Sequence, residues 1–136
     1  MTSRVRDGQE MIRQMAPKLL PGRFVFRTIS DPDEAARLLP LAQASFREAE
    51  GLSLILEARP EDRDAFRQIT LEVHSALDGV GLSAAVTSEL AAREIPVNLV
   101  AANHHDHIFV PEHLAEFACD ALLRFSRAAG AGTEKD

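Results

Sequence analysis

The sequence predicts an α+β fold in which an antiparallel sheet carries helices on one face. Three observations predict it. Gln68 to His74 alternates, with Ile69, Leu71 and Val73 on one side and Gln68, Thr70, Glu72 and His74 on the other, the period of a half-buried strand. Val80 to Arg93 places Leu82, Ala85, Val86 and Leu90 on one helical stripe, and beyond Pro111 the residues Leu114, Phe117, Ala118, Ala121, Leu122 and Phe125 form a second. Between the helices, Pro96 opens a strand through Ala101, and the polar turn Asn103 to Asp106 leads into a strand at His107 to Val110.

The order strand, helix, strand, strand, helix is most of a ferredoxin-like βαββαβ unit and lacks only its last strand. The segment Gly22 to Ser30 is an available supplier, which would interlock the two halves of the chain.

The first half reads less regularly. A short helix is expected from Gln9 to Ala16, with Met11 and Met15 on one face, ended by Pro17 and by Pro21-Gly22. Arg23 to Ile29 alternates as a strand that Asp31-Pro32-Asp33 ends, and Glu34 to Leu39 suits a helical turn. Leu41 to Glu48 and Leu52 to Leu56 read as a hairpin around Gly51, although Ala35 to Phe46 also tolerates a helical reading. Pro60 followed by Glu61 and Asp62 marks a short helix to Phe66. The units expected are therefore 9–66 and 67–127, with tails at 1–8 and 128–136 that lack periodicity and should fray.

A chain of 136 residues has room for one domain or two small units sharing a core. Its formal charge of −6 repels phosphate backbones, and no basic face overrides it, so nucleic acid is not an expected partner. Cys119 stands alone and no apolar signal core opens the chain, which makes a cytoplasmic location the expectation. No apolar run reaches the roughly 18 residues that span a bilayer.

Several blocks resemble a known family. Val80-Gly81-Leu82-Ser83-Ala84-Ala85-Val86, then Leu90, then Ile95-Pro96-Val97-Asn98-Leu99-Val100, resembles the ACT domain, in which a strand ends in a glycine-bearing loop, a helix follows and a second strand comes next. A small bacterial group of tandem ACT-like proteins is more similar still. Its counterparts here are Gly22 to Phe26, Phe46 to Leu52, Leu71 to Leu77 and His105 to Val110. The resemblance covers about Met11 to Phe125 and implies two ACT-like units. It also implies that a ligand, most often an amino acid, binds at the loop after the first strand, at an interface between units. The chain departs from the group at Asp78-Gly79, where a bulkier or less polar loop is usual, and at Asn103-His104, where aromatics are usual.

The candidate ligand site is accordingly Ser75, Asp78, Gly79, Val80, Gly81, Leu82 and Asn98. A helix starting near Val80 presents unpaired N–H groups suited to a carboxylate, and the two glycines admit close approach to the backbone. Asp78 then takes an ammonium, or merely caps the helix; Asn98 contacts the same ligand, or merely faces solvent. Glu48 and Glu50 flank the hairpin turn. They form either a solvated turn or a second contact to the ligand from the first half.

His104, His105, Asp106, His107 and His113 are the densest group of metal-type side chains, but their spacing matches no structural zinc motif and neighbours in a turn diverge. A solvated turn is favoured over a metal site, and no metal or other cofactor is expected. His74 beside Ser75 lacks the strained elbow of a nucleophile, and Cys119 reads as an inert thiol. The expectation is a non-catalytic sensor that binds an amino acid and assembles as a homodimer. The alternative is an interaction module with no small-molecule ligand.

Overall fold

The computed structural model describes residues 4–5, 7–74 and 76–134, the last four of these by their backbone alone. In chain order the elements are α1 (Gly8–Arg13), β1 (Pro17–Leu19), β2 (Phe24–Ile29), α2 (Pro32–Leu38), β3 (Ala44–Glu48), β4 (Gly51–Glu57), β5 (Phe66–Leu71), α3 (Leu82–Ala91), β6 (Asn98–Ala101), β7 (Asp106–Pro111) and α4 (Ala115–Glu134). The strands form one antiparallel sheet in the order β3-β4-β2-β5-β7-β6, with β1 also paired to β5.

Local chemistry sets the helix starts. The Asp7 and Asp31 side chains each accept the backbone N–H three residues on, and Pro32 supplies a fixed φ for the first turn of α2. Where α1 stops, the Ser126 hydroxyl donates to the carbonyls of Ile12 and Arg13 at 2.8 and 3.0 Å. That bond satisfies carbonyls a helix end leaves open and seats α1 against α4.

The strand that completes the second half is β1, not Gly22 to Ser30. Pro17, Lys18 and Leu19 lie opposite Leu71, Thr70 and Ile69, whereas β2 meets β5 only at Phe24 opposite Phe66 and otherwise pairs with β4. Pro21 and Gly22, the latter at φ 104°, break what would be one long strand and turn its second part towards the first half. The two halves interlock through β5, which receives both β1 and the start of β2.

All four helices lie on one face of the sheet. There Ile69, Leu71, Ile108 and Val110 meet Met11, Met15, Val86, Leu90 and Leu122 in the main core. Ala115, Ala118 and Ala121 face inwards on α4, and such small side chains bring helix and strand backbones close. Phe117, expected on that stripe, is half exposed instead. The opposite face has an aromatic cluster in which Phe24 and Phe26 each meet Phe109 edge-on, with ring centroids 5.8 Å apart. The sheet curls around this cluster, so that Ala44 on one edge strand and Val100 on the other pack against the same residues.

Other expectations are corrected. Pro60 to Phe66 is no helix: Asp64 has φ 57°, and the chain enters β5 at Phe66. The alternating strand ends at Leu71, because Glu72 and Val73 bond back to Met15 and Ala16 rather than continuing the ladder. The expected tails, 1–8 and 128–136, lie partly outside the described residues, and the parts described are placed as follows. Val5 exchanges backbone hydrogen bonds with His74 and Ala76, and α4 continues past Ala128 to Glu134, where Gly130 lies against Arg13.

Candidate functional site

The loop that follows β5 is held from behind by the start of the chain. Val5 donates to the His74 carbonyl at 2.7 Å and accepts from Ala76 at 2.9 Å, and Gly8 lies directly against Val80 and Gly81. Gly81 then opens α3 at φ 113°, a conformation that side-chain-bearing residues rarely adopt. Neither a capping side chain nor an acidic residue sits in the first turn of α3. Its leading N–H groups therefore present an unneutralised positive dipole end.

A cavity of about 360 Å³ opens at this helix start. Gly79, Gly81, Ser83 and Ala84 form one wall, and Ala101 and Asp106 form the other. Asp106 stands opposite Leu71 in the β5–β7 ladder and is 8% exposed. The arrangement places a helix N-terminus and a buried carboxylate across one small space, the polarity a zwitterion would match. Met11 closes the back, and Leu77 and Val80, both strongly exposed, rim the mouth.

The structure groups the sequence-based candidates only in part. Gly79, Val80, Gly81 and Leu82 line the cavity, Asp78 lies outside its wall, and Ser75 falls outside the described residues. Asn98 does not converge on it. That residue starts β6 on the opposite face of the sheet and donates to the Phe109 carbonyl at 3.4 Å, while Ala101 at the far end of the strand lines the cavity. Glu48 and Glu50 are also remote, since β2 runs away from β5 and carries the β3–β4 turn to the other end of the sheet.

Asp106 lines the cavity although motif reading does not place it there. Its signal lay in period: it shares the pleat side of Ile108 and Val110, both fully buried, so a carboxylate occupies an inward position. His74, from the loop after β5, comes close to two imidazoles of the 103–106 turn. His74 lies 5.0 Å from His105 and 5.7 Å from His104 between ring centroids. Among the described residues, no group of three or more His, Cys, Asp or Glu is placed to hold a metal ion. Cys119 donates weakly to the Pro17 carbonyl at 3.9 Å, and burial pushes its thiol pKa up.

Residues 5–68 match one family model described as an ACT domain, and residues 65–124 match a second. The two matches meet on the first residues of β5, the strand that both halves pair with. A solved protein of unknown function from Vibrio cholerae, a possible transport protein, is 41% identical over 85% of this chain and 92% of its own, with a TM-score of 0.73. A protein from Agrobacterium tumefaciens is 20% identical over 81% and 87%, with a TM-score of 0.61. The regulatory subunit of aspartate kinase from Thermus flavus is 10% identical over 80% and 95%, with a TM-score of 0.58. These last two likenesses are of fold. No curated protein sequence matches the chain significantly. Among the described residues, no helix is long and apolar enough to cross a membrane.

Proposed function

The chain belongs to the ACT-domain family, with two such units in tandem, and from that premise we propose that it is a regulatory module binding a free amino acid at the start of α3. A regulatory, ligand-binding role is the general character of these domains. The observation that carries the finer reading is the cavity's polarity. The open N–H groups of Leu82, Ser83 and Ala84 suit the ligand carboxylate, and Asp106 suits its ammonium. Gly79 and Gly81 leave room for the main-chain part of the ligand, and Met11 and Leu77 contact its side chain. The fold shared with a regulatory subunit of aspartate kinase is in keeping with this role.

A second copy of the chain completes the site in this proposal. Leu77 and Val80 are 68% and 81% exposed at the cavity mouth, where apolar side chains gain by being covered. Ligand and assembly then stabilise each other, because a ligand enclosed by two copies binds the dimer better than the monomer. The test is a thermal-shift screen of the free amino acids, repeated on Asp106→Asn. Ligand at about a hundredfold its dissociation constant stabilises the native state by about 2.7 kcal/mol, a shift of several degrees. The proposal expects such a shift for one or a few amino acids and its loss in the variant. An unmoved midpoint across the panel would favour a protein-interaction module with no small-molecule ligand.

A further inference from the structure

The curled face of the sheet, away from the helices, holds a second enclosed space. Between edge strands β3 and β6, a cavity of about 140 Å³ has His107, Gln68 and Phe109 on its floor. An apolar hollow of about 180 Å³ adjoins it through Ala44 and Val100, with Phe26, Phe46 and Ile55 around it. Phe46 is 74% exposed at that rim. Among the described residues, no charged side chain lines either space.

The polar floor is a connected network with a fixed direction. Nε2 of Gln43 donates to Oε1 of Gln68 at 2.7 Å, and Nε2 of Gln68 donates to the Thr70 hydroxyl at 3.0 Å. The same nitrogen lies 3.2 Å from Nδ1 of His107, and the Thr70 hydroxyl lies 2.9 Å from it. With the Gln68 amide nitrogen turned towards His107, Nδ1 is the acceptor and the neutral ring carries its proton on Nε2; the other tautomer would require the Gln68 amide reversed. Burial, then the charge of His105, holds the His107 pKa below the usual imidazole value, against an opposing pull from Asp106. His107 lines the cavity, and with Nδ1 engaged by Gln68 and Thr70 the ring's remaining donor is Nε2–H, which takes no hydrogen-bond partner among the described residues.

A buried network of this kind, 3% exposed at Gln68 and 7% at Thr70, fixes one donor at the base of an apolar, aromatic-rimmed hollow. We propose that this hollow is a second ligand site, which takes an uncharged molecule with an aromatic body and a carbonyl that accepts from Nε2–H of His107. A charged ligand would shed its hydration with no counter-charge to replace it. Gln43 lines the same cavity, and its side-chain Oε1, whose amide nitrogen is committed to Gln68, suits an amide N–H on the ligand. The site is distinct from the cavity at α3. Asp106 and Ala101 line that one, whereas His107 and Val100, on the other pleat side of the same strands, line this one.

Benzamide and benzoate serve as probes, with binding followed by heteronuclear NMR on the full chain. Benzamide is expected to shift the His107 ring and the Val100 and Phe109 signals saturably, and benzoate to bind about tenfold more weakly or worse. Removing the single donor in His107→Phe should weaken benzamide about five- to tenfold. Filling the hollow in Val100→Phe, or in Ala44→Leu should that variant fold poorly, should abolish binding. Absence of a saturable shift, benzoate matching benzamide, or benzamide binding unchanged in a well-folded filled variant would each overturn the proposal.

Discussion

Gly8 and Val80 meet backbone to backbone: a Cβ built on Gly8 would lie 2.7 Å from the Val80 carbonyl oxygen. This contact joins the first turn of α1 to the loop that walls the α3 cavity. The close approach requires a residue without a side chain, although Gly8 has no positive φ to demand one.

Gly8→Ala should therefore push the loop off α1. Overpacking of this kind costs about 1–3 kcal/mol, and urea denaturation measures it directly. The displaced loop should also weaken amino-acid binding. An unchanged denaturation midpoint would show that the loop gives way freely.

Gly81→Ala tests a different cause at the same place. The nearest non-neighbouring atom to a Cβ there is the Gly8 Cα at 3.6 Å, an ordinary contact, so space is available. The φ of 113° is what an alanine resists, at about 1–3 kcal/mol. Thermal denaturation should show a loss, and adding Gly8→Ala should give a non-additive result, since both changes act on one contact.

Arg23 ties three segments together. It donates to both carboxylate oxygens of Glu112, at 2.6 and 3.2 Å, and to the Arg59 and Asp62 carbonyls at 3.2 and 2.9 Å. The Glu112 pKa is lowered, first by the hydrogen bond from Arg23. Arg23→Lys removes the planar fork and its carbonyl contacts, whereas Glu112→Gln leaves the carbonyl contacts in place. Thermal denaturation should find Arg23→Lys the more destabilised of the two; the reverse order would mean that the ion pair alone holds this junction.

His107 sets a pH dependence. Its folded-state pKa lies below the ordinary 6.5, with burial as the first cause. As the pH falls below 6.5, the unfolded chain takes up the proton before the folded one does. The contribution of His107 to stability is therefore complete above 6.5 and is lost as the pH falls through its folded value. The stability advantage of the wild type over His107→Gln should shrink on acidification from neutral pH. An advantage that stays constant would place the ring in an environment that does not penalise its charge.

Much of this fold is legible in local pattern, and the misreadings share a physical origin. The alternation of Ile69 and Leu71, the stripe of Leu82, Val86 and Leu90, and the hairpin at Gly51 each reflect a period visible within a few residues. β1 is illegible because it is three residues that start at one proline, Pro17, with another at Pro21, and it exists only through its partners at Ile69 to Leu71. Pro60-Glu61-Asp62 carries a helix-start signal, but Asp64, two residues on, adopts a positive φ and the chain is drawn into the sheet at Phe66.

The site divides in the same way. Gly79 and Gly81 are visible as glycines before a helix, and they do line the cavity. Asp106 reaches the same space only through the register that sets it opposite Leu71 and Ala101, which no local spacing reveals. Asn98 illustrates the converse: its strand is legible in the sequence, but the side of the sheet it takes depends on the pairing with Phe109, and it is the alternative reading, an exposed side chain, that this register matches.

The most direct measurement of the central claim is an NMR titration of the full chain with the amino acid that stabilises it most in the thermal screen. The account predicts the largest amide shifts at Leu82, Ser83 and Ala84, with further shifts at Ala101 and Asp106, and their loss in Asp106→Asn. Shifts confined to other regions of the chain, or none at saturating amino acid, would contradict the assignment of the α3 cavity as the ligand site.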